Sequence, residues 1–204
     1  MAKMEHKLGV TASYYFRAVP ASWDEGIIRR IFILGHEVGY HYESLSACNG
    51  NTERAFSDFK LNLKKLRTIA PVKTICMHGR PLSSVNNLDL WKEYEYKPLG
   101  VIGEPYLDVN YRNVFYITDT GRKWNSTGTS VRDRVDSGFN IFIKNTFYLI
   151  SLAEQGLLPD HVMLNVHPQR WHDRLLPWMS EFALQNIKNT AKHILVKRKK
   201  SLLK

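Results

Sequence analysis

The stretch GHEVGYHYESLS, residues 35–46, places two histidines five positions apart in a segment that has the pattern of a β-strand. The residues before it, 22–35, predict a helix with acidic residues in its first turn and a glycine after its last. In a regular strand His36 and His41 point to opposite faces, because successive side chains alternate. The two histidines therefore cannot bind one metal ion together. We interpret His36 as a structural residue and His41 as the better metal ligand.

Strand and helix patterns alternate through most of the chain. The predicted strands are residues 10–16, 36–42, 72–78, 100–106, 113–120 and 161–167, and the predicted helices are residues 2–8, 22–35, 52–70, 88–94, 137–156 and 174–200. Several strands are continuous apolar runs, which is typical of parallel strands that helices cover. The pattern therefore predicts an α/β fold with a mostly parallel sheet, either a barrel or a doubly wound sheet. Because no linker or repeat interrupts the pattern, we expect residues 1–204 to form a single domain.

The composition is that of a globular protein with a packed core, since 44% of the residues are hydrophobic and 24% are charged. No apolar run of about 18 or more residues occurs, so we expect no transmembrane segment. The N-terminal residues lack the apolar stretch of a secretory signal. Two cysteines in a chain without such a signal indicate reduced thiols and a cytoplasmic location. The pattern does not specify an oligomeric state.

The net charge of +10 is concentrated in part at the C-terminal end, KHILVKRKKSLLK, residues 192–204. We interpret this basic run as the solvated end of a helix, where cations also suit the helix dipole. The alternative is an acidic partner such as an anionic lipid or a nucleic acid. Because aromatic residues do not interleave with the basic ones in the manner of RNA-binding modules, we expect no nucleic-acid partner.

Polar side chains with useful chemistry follow most of the predicted strands. They are His41 with Glu43, His78 with Arg80, Glu104 with Asp108, Asp119 with Arg122 and Trp124, and His167 with Arg170 and Trp171. In α/β folds, binding and catalysis collect at the C-terminal ends of the strands. Neutral imidazole is both a metal ligand and a general acid or base near pH 7. Three strands that end in His41, His78 and His167 therefore indicate a site at one edge of the sheet.

Several of these segments resemble one known family. ASYYF at residues 12–16, followed by a helix and LGHEVGYH at 34–41, and later LNVHP at 164–168, resemble motifs of the polysaccharide deacetylase superfamily, carbohydrate esterase family 4. The segments CMHGRPLS, IGEPYLD, TDTGRKW and HPQRW are similar to an atypical bacterial branch of it. The resemblance implies a distorted (β/α) barrel that is incomplete, with fewer than eight strands. It also implies a divalent metal ion, commonly zinc, which activates water to attack an acetamide carbonyl.

The resemblance assigns roles to particular residues. His41 matches the first metal histidine, and His167 matches the general acid that protonates the departing amine. The position of the second metal histidine is Leu45, which cannot bind metal, so Glu43 or His78 would complete the metal site. We expect four further residues to line the substrate cleft, where arginine would hold an anionic group and tryptophan would stack on a sugar: Arg122, Trp124, Arg170 and Trp171.

The family also carries an aspartate pair on a first strand that precedes the first helix, and this chain begins inside that helix. We therefore expect an N-terminally truncated member of the superfamily with little or no activity of its own. The expected function is that of a metal-dependent deacetylase-like protein acting on N-acetylated sugars, nucleotide sugars or cell-surface polysaccharide. The alternative is a non-catalytic carbohydrate-binding protein on the same scaffold, which the loss of a ligand at Leu45 favours.

Overall fold

The structure is a computed structural model that describes residues 1–80, 83–124 and 135–201, with the backbone alone for residues 191–201. Two residues of the CMHGRPLS segment, Pro81 and Leu82, and the side chains of the basic C-terminal run therefore lie outside the described part. The chain divides into two compact units, Met1–Val109 and Asn110–Lys204. Of the helices described, none is long and apolar enough to cross a membrane.

The first unit is built on three parallel strands in the order β1-β2-β3. Its elements are α1 (Ala2–Lys7), β1 (Ser13–Phe16), α2 (Glu25–Ile33), β2 (Glu37–Tyr42), α3 (Ser44–Ala47), α4 (Thr52–Arg67), β3 (Ile75–Met77) and α5 (Pro105–Asp108), with 3-10 turns at Pro20–Ser22, Asn87–Lys92 and Lys97–Leu99. The strand order follows the chain order, so each strand pairs with the next through a helical crossover. This is the arrangement that the alternating pattern predicts for consecutive β-α-β units.

The sheet of the first unit has one apolar and one polar face. Side chains on the apolar face, such as Val38 and Tyr40, share a core with Ile28 of α2 and with Phe59 of α4. Because crossovers between parallel strands are right-handed, consecutive strands place both helices on the same face. The opposite face, here called the polar face, consists of Ser13, Tyr15, Glu37, Gly39, His41, Thr74 and Cys76.

Gly39 lies under an aromatic ring on the polar face. A Cβ atom added to Gly39 would lie 2.4 Å from two ring carbons of Tyr15, the residue paired with it on β1. The Tyr15 hydroxyl donates to Thr74 Oγ1 at 3.2 Å, and that of Thr74 donates to Glu37 at 2.6 Å. A glycine within a strand indicates that another group approaches the backbone closely. At Gly39 this group is the ring of Tyr15 from the same sheet.

The predicted strand at residues 100–106 is wrong. Only Gly103 forms a β-bridge, with Thr74, and its carbonyl accepts from Ile75 N–H at 3.0 Å. The N–H of Met77 in β3 donates to the Glu104 carboxylate at 2.8 Å instead of to a backbone carbonyl. A strand cannot continue beyond this point, because Pro105 begins helix α5.

Glu104 is fully buried, and its side chain joins β3 to helix α5. One carboxylate oxygen accepts from Met77 N–H, and the other accepts from Tyr106 N–H at 2.6 Å and caps the helix. Burial raises the pKa of Glu104 to about 7, even though backbone N–H groups stabilise its ionised form. Glu104 is therefore a structural residue whose carboxyl group is partly protonated at neutral pH.

The second unit contains two parallel strands and two helices. Its elements are β4 (Phe115–Thr118), α6 (Thr146–Glu154), β5 (Val162–Asn165) and α7 (Leu175–Ser201), with 3-10 turns at Thr120–Arg122 and Pro168–Arg170. Helix α6 starts nine residues later than predicted, because the Asn145 side chain accepts from Tyr148 N–H at 2.9 Å and caps it. Its core is small and centres on Phe115, Ile117, Ile143 and Leu152.

The two sheets confirm an α/β fold with parallel strands. The described sheets have three and two strands, and neither closes into a barrel. Strands β1 to β5 lie within the predicted segments, although each is shorter than predicted. Helix α2 takes its N-cap from Asp24 instead of Ser22, whose turn belongs to a separate 3-10 segment.

Glu104→Gln should flatten the dependence of stability on pH. Between about pH 4.5 and 7 the folded protein holds a proton on Glu104 that the unfolded chain has lost, so stability falls as pH rises through this window, by about 3 kcal/mol in total. The variant lacks this titration, but its amide can accept only one of the two N–H groups. We expect lower stability than wild type at about pH 5 and a smaller decline toward pH 8, measured by urea unfolding.

The control for this experiment is Glu95→Gln, since Glu95 is exposed. It should keep the wild-type pH profile. A wild-type profile in the Glu104→Gln variant would show that the carboxyl group of Glu104 does not titrate in this range.

Candidate functional site

Each unit gathers polar side chains where its parallel strands end. The first group, here called the Glu43 cluster, contains Arg17, His41, Glu43 and His78. His78 Nδ1 donates to Glu43 Oε2 at 2.8 Å, and the rings of His41 and His78 meet edge-on with centroids 5.0 Å apart. The structure therefore brings together the three residues that were predicted to bind a metal ion.

Glu43 is held ionised by the two side chains that donate hydrogen bonds to its oxygens. Its other oxygen accepts from Arg17 at 2.6 Å, and its side chain is only 13% exposed. Burial alone would raise the pKa of Glu43, but the hydrogen bonds and charges of His78 and Arg17 outweigh it and lower the pKa to about 2. Arg17 was missed by the sequence analysis, although it directly follows β1 and the same strand-end rule applies to it.

The hydrogen bonds fix where the two imidazoles of this cluster carry their protons. His41 Nδ1 lies 2.9 Å from the carbonyl oxygen of Cys76, which can only accept, so Nδ1 carries a proton. The same holds for His78 Nδ1 against the Glu43 carboxylate. In the neutral rings the lone pair is therefore on Nε2. Metal-binding histidines commonly have this form, with the second nitrogen bonded to a carbonyl or carboxylate.

The donor set fits a metal ion only in part. His41 and His78 present two imidazole nitrogens of suitable chemistry, but catalytic zinc sites normally use three protein ligands. Both oxygens of Glu43 already accept hydrogen bonds. Within residues 1–80, 83–124 and 135–201, no group of three or more His, Cys, Asp or Glu side chains is arranged to hold a metal ion. Metal binding by His41, Glu43 and His78 stays a prediction.

His36 has a structural environment, as its position in the strand suggested. It is 3% exposed, and its Nδ1 accepts from Ala12 N–H at 3.2 Å. Its Nε2 therefore carries the proton and donates to the carbonyl of Ala2 at 2.9 Å. The ring also meets Tyr14 edge-on at 5.3 Å. These contacts connect helix α1 to β1 and β2. They explain why a histidine is present at position 36 without any metal ligand role.

The second group, here called the Asp119 cluster, contains Asp119, His167, Arg170 and Trp171. Asp119 is 5% exposed and follows β4 directly. Its Oδ1 accepts from His167 Nδ1 at 2.5 Å and from Arg170 Nη1 at 2.8 Å. Its Oδ2 accepts from Trp171 Nε1 at 2.9 Å and from the His167 backbone N–H at 3.1 Å. One carboxylate therefore positions three side chains of the HPQRW segment.

Asp119 is ionised over the whole neutral range. Burial alone would raise its pKa, but the hydrogen bonds from His167 and the charges of His167 and Arg170 reverse this and lower it. The anion in turn holds the proton of His167 on Nδ1. The remaining nitrogen, Nε2, is then the atom that can exchange a proton, and the side chain is 34% exposed. An aspartate–histidine pair of this kind fits general acid–base catalysis.

Trp171 of the Asp119 cluster has a second tryptophan, Trp124, as its neighbour. The rings of Trp124 and Trp171 lie 5.9 Å apart at 45°, and Trp124 Nε1 donates to Thr146 Oγ1 at 3.0 Å. Trp171 is held at its nitrogen by Asp119 but remains 44% exposed. A fixed and exposed indole face is a suitable surface for stacking against a sugar ring.

Arg122 is engaged with helix α7. It forms an ion pair with Glu181, and its guanidinium lies 4.7 Å from the ring of Trp178 and 5.1 Å from that of Phe182. Its backbone is left-handed, with φ of 60°, next to Gly121 with φ of 73°. This conformation costs a non-glycine residue about 1 kcal/mol or more, which the contacts of the guanidinium offset. Substrate binding by Arg122 stays a prediction.

The predicted site residues therefore fall into two groups, one in each unit. Leu45, at the position where the resemblance places a second metal histidine, is 3% exposed and belongs to the core. Comparisons with protein-family models, with curated proteins and with solved structures found no match for this chain. The roles of the two groups are accordingly judged from their geometry.

Asp119→Asn should destabilise the protein by about 2–4 kcal/mol at neutral pH, since the amide nitrogen would face N–H donors in place of a buried anion. The pKa of Asp119 lies below its unfolded value, so the stabilisation is present above about pH 4 and is lost as pH falls through the folded pKa. Urea unfolding at several pH values measures the difference between variant and wild type, which should shrink in acid.

Asp173→Asn provides the matched control, because Asp173 is exposed six residues after His167. It should change stability by less than about 0.5 kcal/mol. Equal effects of the two substitutions would mean that the hydrogen bonds of Asp119 contribute nothing specific.

Proposed function

We propose that this chain is a metal-dependent deacetylase-like hydrolase that acts on N-acetylated sugars, free or within nucleotide sugars or cell-surface polysaccharide. The observation that carries the proposal is the Asp119–His167 pair, in which a buried anion fixes an imidazole with Nε2 left for proton exchange. The resemblance of LNVHP and GHEVGYH to polysaccharide deacetylase motifs supports the same reaction. The order β1-β2-β3, with both helices on one face, supports an incomplete (β/α) barrel of that type.

Removal of an acetyl group requires a proton at the leaving nitrogen. Water attacks the carbonyl carbon and loses a proton to solvent, the C–N bond breaks, and acetate and a free amine are formed. His167, when protonated on both nitrogens, would give its Nε2 proton to the departing amine and keep its Nδ1 proton on Asp119. Arg170 would act as a positioning residue, because Nη1 bonds the same carboxylate oxygen at 2.8 Å.

The tryptophans support a carbohydrate substrate. Trp171 presents an exposed indole whose nitrogen is fixed by Asp119, so a stacked sugar would lie beside His167. Trp124 adjoins it at 5.9 Å between ring centroids and would extend the apolar surface. Arg122 and Arg170 would add positive charge for an anionic substituent, such as the phosphate of a nucleotide sugar.

For the divalent metal ion, zinc by the resemblance, we propose His41 and His78 as ligands through Nε2. Glu43 would be a third ligand or would orient His78, and Arg17 keeps its carboxylate in place. When bound, such an ion polarises a carbonyl and lowers the pKa of a bound water. A cytoplasmic location is part of the proposal, because a chain with two cysteines is typical of a compartment that keeps thiols reduced.

A second candidate function is carbohydrate binding without catalysis. Leu45 favours it, because a core leucine stands where the family carries a metal histidine. In this case Trp124 and Trp171 would bind the sugar, and the Asp119–His167 pair would only hold Trp171 and Arg170 in place.

The purified chain, supplied with zinc, should release acetate from oligosaccharides of N-acetylglucosamine only slowly, because no segment of the sequence matches the aspartate pair that the family carries. His167→Ala should lower kcat about 100-fold or more, as expected for loss of a general acid, with little change in KM. His172→Ala is the control, since His172 is exposed in the next turn and should retain wild-type rates. Acetate release is followed by an enzyme-coupled assay, after circular dichroism has shown that the variants are folded.

Three outcomes separate the candidates. Loss of activity in His167→Ala alone supports the hydrolase. No acetate release, together with oligosaccharide binding that Trp171→Ala abolishes, supports the binding protein. Neither release nor binding contradicts both proposals.

Zinc should bind the wild-type chain weakly, at a stoichiometry of one, through the Glu43 cluster, because the cluster offers fewer ligands than a catalytic zinc site normally uses. The double variant His41→Ala/His78→Ala should lose binding, and Glu43→Gln should weaken it about 10-fold to 100-fold, because His78 would lose its anionic partner. Isothermal titration calorimetry measures both effects. His161→Ala, a substitution of an exposed histidine elsewhere, serves as control. Unchanged affinity in the double variant would contradict the metal assignment.

A further inference from the structure

Helix α7 turns a polar face toward the rest of the second unit. Glu181, Gln185 and Asn189 lie four residues apart along this face. Asn189 Nδ2 donates to the carbonyl of Gly121 at 3.0 Å, and Gln185, which is 8% exposed, donates to Asn189 at 2.8 Å. Glu181 forms the ion pair with Arg122. Hydrogen bonds and charges therefore hold the helix against the 3-10 turn after β4.

The opposite face of α7 is exposed and carries a row of apolar residues beside Asn186 and Thr190, while Leu175, Phe182 and Leu184 are exposed on its flanks. Leu176, Met179 and Ile187 are 78%, 51% and 67% exposed, and Ala183 lies between them on the same side. Their spacing of three, four and four residues places them in one row, here called the outer stripe. A helix on a protein surface normally turns its apolar side inward and its polar side to water. The reversed arrangement indicates that something covers the outer stripe.

The charge of α7 indicates what covers it. The sequence of Leu175–Ser201 contains one acidic residue, Glu181, which is paired with Arg122. The same helix carries six basic residues: Lys188, Lys192, Lys197, Arg198, Lys199 and Lys200. A second copy of the helix would bring like charges together, and a nucleic acid would leave the outer stripe in water. An anionic lipid surface matches both the apolar row and the positive charge.

We propose that α7 docks on a bilayer surface that contains anionic phospholipid, with the helix axis in the plane of the membrane. Leu176, Met179 and Ile187 enter the boundary between headgroups and acyl chains. The positive charge of the helix, six basic residues against one acidic residue in its sequence, attracts it to the anionic headgroups. The polar contacts of the inner face keep the helix attached to the second unit while it is bound. This inference is independent of the proposed hydrolase activity.

Sedimentation of the full chain with vesicles tests the proposal. The chain should bind vesicles with about 30 mol % phosphatidylserine at low salt, and binding to pure phosphatidylcholine should be at least about tenfold weaker. Met179→Asn/Ile187→Asn should reduce binding about tenfold or more through loss of the apolar row. Replacing residues 197–200 with glutamine should have an effect of similar size. High salt should weaken binding of the wild-type chain.

The matched control is Ile33→Asn/Leu61→Asn, which changes two exposed apolar residues on helices of the first unit, at 71% and 67% exposure. It should bind vesicles within about twofold of wild type. Circular dichroism and thermal unfolding show whether all variants are folded.

Four results would overturn the proposal. They are no binding to anionic vesicles, equal losses in the two double variants, equal binding to neutral and anionic vesicles, and a wild-type dimer that the outer-stripe variant dissociates without any change in vesicle binding. Binding to a duplex oligonucleotide that exceeds vesicle binding and ignores the outer stripe would also overturn it, in favour of a nucleic-acid surface.

Discussion

Parallel pairing of neighbouring strands is the constraint on which both polar clusters depend. Tyr42 pairs with Met77 at the end of the first sheet, so the residues that follow, Glu43 and His78, leave the sheet side by side. Thr118 pairs with Asn165 at the end of the second sheet in the same way. Asp119 therefore lies next to the segment that carries His167. Antiparallel pairing would send the same residues to opposite edges.

Three carboxylates that are largely removed from water, Glu43, Asp119 and Glu104, show how local partners decide charge. Each loses water contact on folding, which by itself favours the protonated form. Glu43 and Asp119 have cationic partners, and their pKa values fall. Among the described residues, the groups that donate to the Glu104 carboxylate are backbone N–H groups, and burial raises its pKa to about 7. Backbone N–H groups therefore offset the rise in pKa that burial causes less well than a guanidinium or an imidazole does. The two carboxylates with an arginine partner, Glu43 and Asp119, are also those that bind a histidine.

The proximity of Glu43 to His78 could be predicted from strand ends and parallel pairing, and so could that of His167 to Arg170 and Trp171. The expected single site with all three histidines at one edge of one sheet is not found, because His41 and His78 end strands of the first sheet and His167 follows a strand of the second. The role of Asp119 in holding the side chains of His167, Arg170 and Trp171 could not be predicted. The sequence around a carboxylate does not show which donors will hydrogen-bond to it in the fold. Glu104 was misplaced for a related reason. Its segment, residues 100–106, has strand-like residues. The strand ends because the Glu104 carboxylate, instead of a backbone carbonyl, accepts from Met77 N–H, and because Pro105 begins helix α5. Whether residues 1–204 act as a single domain stays a prediction.

The polar contacts of α7 with the rest of the second unit determine which face of the helix points outward. A partly buried ion pair such as that between Arg122 and Glu181 adds little net stability, because desolvation offsets most of the Coulomb attraction. It does fix the rotation of the helix, since only one face presents Glu181, Gln185 and Asn189. Arg170 Nε also lies 4.0 Å from Glu181, while its Nη1 bonds Asp119. The guanidinium that positions the Asp119–His167 pair therefore also meets the inner face of α7, and the rotation it helps to fix turns the apolar row outward.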